Sequence, residues 1–330
     1  MPRPLRSVRG VLLFVLFKAM LNRMEAGQRW GRRCRRLILI LAALFCTTPA
    51  FAGRIVTDQT GRRVRIPDRP TRLVSLAPSI TETLFMLGLG DQVVGDTDYC
   101  EYPVEAKLKP HVGSILNPSL ERIVSLRPDL VLGSPEANRR ETAERLERLG
   151  IPLYGVTART VDEMLASIDD LGKVLHREEE ASRLVDGLRQ RVEAAAHRVG
   201  NRKPPRVLFV VWYRPLTTAG ANTFVSDVIR RAGGEPISHG LQGEWPKLSL
   251  EEALRLDPDV ILFPRSESFS PGLEEFHSLP GWRDFRAVKT RRLYVVSDAI
   301  IRSSPRLVDA LEEVARVLHP SEADKVGAKP

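Results

Sequence analysis

The chain has 330 residues, a length that suits two average domains, with 43% hydrophobic and 6% aromatic side chains. Its formal charge is +9, but residues 1–52 hold ten Lys and Arg against one acid, Glu25, so the remaining 278 residues hold 40 basic and 40 acidic side chains and are neutral. The positive balance therefore belongs to the leader, which excludes a nucleic-acid-binding class argued from net charge.

The leader has the organisation of an export signal. Arg32, Arg33, Arg35 and Arg36 form a positive segment, Leu37–Phe45 an apolar stretch, and Ala50-Phe51-Ala52 a small-x-small cleavage site. Nine apolar residues are too few to span a bilayer, and the earlier patch Val11–Phe17 is shorter still. Met20 and Met24 are alternative starts that would make the preceding residues an extension. Phe45 is bulky where a lipoprotein site needs a small residue, which argues against a lipid anchor on Cys46. Cys34 and Cys46 leave with the signal. Cys100 alone then remains, too few thiols for an internal disulfide, an iron–sulfur cluster or a cysteine zinc site.

Ile55–Ile66 alternates around Gly61 and predicts a hairpin. Arg72–Leu76 predicts a short buried strand stopped by Pro78. Thr81–Leu87 predicts a helix closed by Gly88, and Val93–Gly95 a further strand. Ser119-Leu120-Glu121 then runs through Leu126 to Pro128-Asp129-Leu130-Val131-Leu132. This reads as a capped helix start, an apolar stripe, a Pro-Asp break and a buried strand. A helix over Glu141–Leu149 and a strand over Ile151–Val156 complete a first lobe, residues 53–160, of alternating strand and helix.

Residues 161–200 form the connection. Val161–Val199 lacks proline, and its apolar residues recur every three or four positions (Val161, Leu165, Ile168, Leu171 and Leu175, then Leu184, Leu188 and Val192). The pattern predicts one long helix, or two joined near His176-Arg177. Residues 201–320 then repeat the outline of the first lobe. Strand Arg206–Trp212 and helix Phe224–Ala232 come first. Ser249-Leu250-Glu251 next runs through Leu256 to Pro258-Asp259-Val260-Ile261-Leu262, each position 130 residues after its counterpart. Strand Leu293–Val296 and helix Pro305–Leu318 follow, and residues 321–330 are expected to be a flexible tail. The fold class expected is α/β: two similar lobes, each a mainly parallel sheet flanked by helices, joined by one long helix.

Catalytic motifs are missing. There is no G-x-S-x-G, H-E-x-x-H or Walker glycine loop, and Gly88-Leu89-Gly90 follows a helix, where it reads as a cap. The six histidines lack ligand spacing; His111 and His239 are the two weighed for a place in a cleft. Glu121 and Glu251 each follow a capping serine, where an acid is favoured by about 0.3–1 kcal/mol through the helix dipole. Tyr99, Trp212, Tyr213 and Trp245 sit in loops, several of them Pro-rich. Such placement suits a ligand surface better than a core.

Five segments together resemble a known family: Leu76-Ala77-Pro78-Ser79-Ile80-Thr81-Glu82, Asp98–Pro103, Ser119–Leu132, Trp245-Pro246 and Asp298–Pro305. They resemble the periplasmic substrate-binding proteins of ATP-binding-cassette importers, of the class with a rigid inter-lobe helix, and within it the vitamin B12 (cobalamin) binding branch. The resemblance implies a periplasmic monomer that captures a corrinoid between its lobes, performs no catalysis, and needs no cofactor or metal. It implies that Glu121 and Glu251 dock on arginines of the inner-membrane permease. It places Tyr99, Trp245, Asp298 and Arg302 at the ligand, with Trp212 and Tyr213 as neighbours. Two positions that carry tryptophan in the branch are Ile115 and Ser134 here, and a phenylalanine position is Thr217. A ferric-siderophore or haem ligand is the alternative within the class. A metal-ion binder would need converging His and carboxylates, and a nitrogenase-like reductase would need several cysteines.

Overall fold

In both lobes the short strands are apolar on both faces, and alternate residues enter different cores. This is the pattern of a parallel sheet covered on each side. The computed structural model describes residues 53–200, 202–238, 240–265 and 272–320. The chain divides into the units Met1–Ala52 and Gly53–Pro330, and the described residues belong to the second. The expected export signal with Cys34 and Cys46, His239 and the expected tail 321–330 lie outside the described residues.

A hairpin of β1 (Gly53–Thr57) and β2 (Arg63–Pro67) comes first, paired antiparallel with Gly61 at φ 84° in its turn. The first lobe follows with β3 (Leu73–Ser75), α1 (Pro78–Met86), β4 (Val93–Gly95), α2 (Leu120–Ser125), β5 (Leu130–Gly133), α3 (Arg140–Arg148) and β6 (Leu153–Gly155). Helices α4 (Val161–Leu175) and α5 (Glu178–Val199) make the connection. The second lobe opens with β7 (Arg206–Phe209), the short hairpin β8 (Trp212–Tyr213) and β9 (Leu216–Thr217), α6 (Phe224–Arg231) and β10 (Glu235–Pro236). It continues with α7 (Leu250–Leu256), β11 (Val260–Pro264), α8 (Arg286–Lys289), β12 (Leu293–Val296) and α9 (Leu307–Leu318). Pro78 begins α1 at its first turn, where a missing N–H costs nothing, so the helix starts three residues earlier than its apolar pattern suggests.

The sheets are ordered β4-β3-β5-β6 and β10-β7-β11-β12, with every neighbour parallel. Counting only its own strands in chain order, each sheet reads second, first, third, fourth. The sequence repeat is therefore a repeat of topology. Arg127 and Asp257, 130 residues apart, even share a left-handed backbone (φ 47° and 41°).

The repeated residues divide by role. Ser119 Oγ accepts from Arg122 N, and Ser249 Oγ accepts from Glu252 N, so both serines cap. Asp129 accepts from Thr71 N and Arg72 N at 2.8 and 3.0 Å, and Asp259 accepts from Arg206 N at 2.8 Å. Each aspartate thus ties the start of its sheet's third strand to the start of its first.

Of the two arrangements expected for residues 161–200, one long helix or two joined near His176-Arg177, the chain forms the second. His176 takes a left-handed conformation (φ 55°) after Leu175, and the chain turns back. A side chain at Gly172 would meet the Ala181 Cβ at 2.5 Å, so glycine permits the close approach of α4 and α5 at that turn. The 22 residues of α5 extend roughly 33 Å. Arg191 on α5 grips Glu312 at 2.8 and 2.9 Å and Asp309 at 2.6 Å on α9.

One continuous core includes Leu73, Leu130 and Leu132 of the first sheet, Val207, Phe209, Val260 and Leu262 of the second, and the inner faces of α4, α5 and α9. The outer faces bury separate clusters: Val74, Val131, Ile123 and Leu146 in the first lobe, and Ile261, Phe263, Phe276 and Trp282 in the second. The two lobes therefore share apolar surface, which resists wide hinge opening. Among the described residues no helix is long and apolar enough to cross a membrane.

Candidate functional site: a cleft between the lobes

In a parallel sheet of this order, ligands gather beyond the carboxyl ends of the strands, where successive connections leave in opposite directions. A cavity of about 340 Å³ lies there, lined from both lobes. The first lobe supplies Ala77-Pro78-Ser79 after β3, Ser134, Glu136 and Ala137 after β5, Ala158-Arg159 after β6, and Tyr99 and Ile115. The second supplies Asn222 to Phe224 at the start of α6, Glu244-Trp245, and Ile301 to Ser303 after β12.

Local bonding fixes these loops. The Asn138 amide accepts from Ser134 N at 2.8 Å and donates to Leu76 O and Ile115 O, each at 2.9 Å, cross-tying three cavity loops. The Trp245 loop runs beside residues 216–220: Gly220 N donates to Glu244 O at 2.8 Å, Thr218 N to Pro246 O at 3.0 Å, and Leu248 N to Leu216 O at 3.0 Å. A Cβ on Gly220 would stand 1.9 Å from Gly243 O, so only glycine allows this approach. The Trp245 ring meets Phe224 edge-on at 6.5 Å and stays 41% exposed. Tyr99, from the other lobe, is 54% exposed. Arg159 and Glu244 approach to 3.6 Å across the cleft.

Three of the six expected ligand residues, Tyr99, Trp245 and Arg302, line this cavity. Trp212, Tyr213 and Asp298 do not. Trp212 Nε1 donates to Arg214 O at 2.7 Å within the β8–β9 hairpin. Tyr213 turns into the second lobe's outer cluster, edge-on to Phe276 at 6.1 Å, because the tight hairpin carries it away from the cleft. Asp298 faces Arg302 at 3.3 Å and Arg306 at 3.4 Å. Ile115 and Ser134 do line the cavity, and Thr217 does not. Sequence patterns did not single out Asn138, Arg159, Phe224 or Glu244. For Asn138, Arg159 and Phe224 the available signal was their place just beyond strand ends or at a helix start; for Glu244 it was only its place beside Trp245.

Behind Arg302 lies a buried charge cluster. Glu82 on α1 is 1% exposed. Its Oε2 accepts from Ser304 Oγ at 2.5 Å, and its Oε1 lies 3.3 Å from Arg306 Nη1 and 4.0 Å from Arg302 Nε. Burial pushes the Glu82 carboxyl above its usual range, while Ser304, Arg306 and Arg302 pull the other way.

Glu121 and Glu251 are both exposed, each at the second position of its helix. Glu252, not Glu251, completes the capping box with Ser249. Among the described residues neither Glu121 nor Glu251 has a hydrogen-bond or ion-pair partner. Each helix is entered from the loops beyond the strand ends and leads back to a strand start, so both carboxylates sit toward the loop-bearing edge of their lobes.

A family model for periplasmic binding proteins matches residues 73–299. The chain belongs to the periplasmic binding protein family. The vitamin B12-binding protein of Yersinia pestis (strain Pestoides F) is 30% identical over 245 residues, covering 74% of this chain and 85% of its own. Among solved structures, the periplasmic haem-binding protein RhuT from Roseiflexus sp. RS-1 has a TM-score of 0.68 at 30% identity, covering 75% of this chain and 97% of that one. The periplasmic vitamin B12-binding protein BtuF of Vibrio cholerae has a TM-score of 0.68 at 27% identity, covering 79% and 99%.

In this periplasmic binding protein, His111, one of the two histidines weighed for the cleft, sits away from it. His111 does not line the cavity; its Nδ1 lies 2.7 Å from Asp96 Oδ1. Asp96 is fully buried, and its Oδ2 has no hydrogen-bond partner among the described residues. Burial pushes the Asp96 carboxyl up to about 6, against the opposing pull of His111 and Lys109, with Asp98 adding to the rise. Cys100 is a buried free thiol beside Thr81 and Thr97, and burial pushes it up as well. Among the described residues no group of three or more His, Cys, Asp or Glu can hold a metal ion.

The Asp96 shift has a stability consequence. The folded protein holds the Asp96 proton between the ordinary carboxyl value of 3.8 and about 6, where the unfolded chain has lost it. This contribution is fully present below the lower value and is lost as pH rises to the upper one. Urea midpoints at pH 4, 5, 6 and 7 are expected to show that decline, and Asp96→Asn to remove it. An unchanged slope in the variant would contradict the assignment.

Proposed function

We propose that this periplasmic binding protein captures a corrinoid of the vitamin B12 type in the cavity and delivers it to the permease of an ATP-binding-cassette importer. The observation that carries the reading is the meeting of two exposed aromatic rings from opposite lobes, Tyr99 and Trp245, with the Arg302 guanidinium on the same cavity wall. Flat apolar faces suit a macrocycle, and a guanidinium suits the amide oxygens of its rim. The vitamin B12-binding relatives support the same ligand class.

The function is capture without catalysis: the ligand is held between lobes 53–160 and 201–320, braced by residues 161–200. The core shared between the lobes and the connecting helices supports a small closing motion. Glu121 and Glu251 then present one carboxylate per lobe to basic groups of the permease. Residues 1–52 direct export to the periplasm, without a lipid anchor at Cys46, and the mature protein acts as a monomer.

A second reading, within the ferric-siderophore and haem alternatives, is haem. The exposed Tyr99 phenol on the cavity wall favours it, since it offers an oxygen to ferric iron, and a haem-binding relative is 30% identical. Titrating the purified protein with cyanocobalamin and with haemin separates the two. Saturable quenching of tryptophan fluorescence and a retained corrinoid spectrum are expected with cyanocobalamin. A stoichiometric Soret band with haemin, together with no response to cyanocobalamin, would replace the first reading with the second.

A further inference from the structure

Four charged side chains form a closed ring beside the cavity. Glu82 lies 4.0 Å from Arg302 and 3.3 Å from Arg306, and Asp298 lies 3.3 Å from Arg302 and 3.4 Å from Arg306. The signs alternate around the ring and its net charge is zero. Three members belong to the second lobe. Glu82 is the single member from the first, 1% exposed and fixed on α1. The arginines also reach the first lobe elsewhere: Arg302 Nη1 lies 3.5 Å from Tyr99 O, and the Arg306 guanidinium sits 4.1 Å from the Tyr102 ring centroid.

We propose that Glu82 is the positioning residue of this cleft, holding the Arg302 guanidinium of one lobe on the cavity wall from the other lobe. Glu82 does not itself line the cavity, so it acts on a ligand through Arg302. Asp298 alone could pair with both arginines, since all three lie on the same stretch of chain. With Glu82 neutral, the two guanidinium groups face one carboxylate, and Arg302 relaxes toward Asp298 and away from the wall. Arg302 Nε is buried and lies 3.3 Å from Asp298 and 4.0 Å from Glu82, so both carboxylates act on the inner end of the guanidinium. Ser304 Oγ, donating to Glu82 Oε2, fixes the carboxylate from a second direction.

This inference rests on the reading of the cavity as a ligand site, and its test separates the two. Cyanocobalamin affinity is measured for the wild type, Glu82→Gln, Arg302→Gln and the double variant. Glu82→Gln is expected to weaken binding about tenfold in the wild-type background and to have no further effect once Arg302 is Gln, the non-additivity of residues acting as one unit. An equal loss in both backgrounds, or no loss in either, overturns the proposal. Glu82→Asp keeps the charge but draws it back by one methylene, and it carries the same cycle if the Gln variant does not fold. Amide exchange on the ligand-free protein is the second readout. Faster exchange in Glu82→Gln, confined to residues 99–102 and 300–307, is expected; unchanged exchange there overturns the inter-lobe hold. If the wild type binds no cyanocobalamin, the corrinoid reading fails, and the exchange result alone decides on Glu82.

Discussion

Uptake of labelled cyanocobalamin is expected to fall to background when Glu121 and Glu251 are both changed to Lys, while the purified variant binds the ligand within about twofold of the wild type. The repeated segments supply the reason. Their serines cap helices, their aspartates tie strand starts, and their apolar residues pack inward. The two glutamates have no such employment: both are exposed, and neither has a partner among the described residues. Neither lines the cavity, so reversal leaves the ligand's surroundings unchanged. Like charges brought together at an interface cost several kcal/mol, so two reversals lower productive docking by roughly a hundredfold or more. Single reversals are expected to give intermediate uptake, because one lobe still engages. Uptake that survives the double change would end the docking assignment, whatever the ligand proves to be.

Trp245→Ala carries the second large effect. The ring stands on the cavity wall, edge-on to Phe224, on a loop held by three backbone hydrogen bonds to residues 216–220. A tryptophan anchor at the centre of a site contributes about 2–3 kcal/mol on truncation, which is roughly thirty- to 150-fold in affinity. The ring is 41% exposed and lies outside the buried cores, so urea stability should move little. Trp245→Phe should recover part of the loss by restoring a flat face. Calorimetric titration with cyanocobalamin checks both variants. Unchanged affinity in Trp245→Ala would remove the ring from the site and leave Tyr99 and Arg302 to be tested alone.

Much of the lobe architecture was legible because its signals are local. The hairpin around Gly61, the helix starts at Ser119 and Ser249 and the strand Leu293–Val296 follow from turn chemistry, caps and apolar runs. β10 was not legible: two residues ending in Pro236 carry no strand pattern, and β10 exists because β7 offers it an edge. The break after α4 was only half legible. Helical periodicity continues across His176-Arg177, and the turn rests on one left-handed residue and on Gly172 admitting Ala181. Trp212 and Tyr213 misled for a related reason. Loop aromatics after a strand suit a ligand surface, but a hairpin as tight as β8–β9 sends Tyr213 to Phe276 and not into the cleft.

The two-lobe α/β plan, the 130-residue repeat and the pairing of Glu121 with Glu251 could be read along the chain, because each depends on periodicity and equivalent position. Tertiary structure alone decided which residues share the cleft. Arg302 comes within reach of Tyr99, and Ser304 and Arg306 of Glu82, across separations of 203 to 224 residues. No local pattern encodes such meetings. They arise when both sheets bury their inner faces on a common set of helices and bring the carboxyl ends of their strands to face each other.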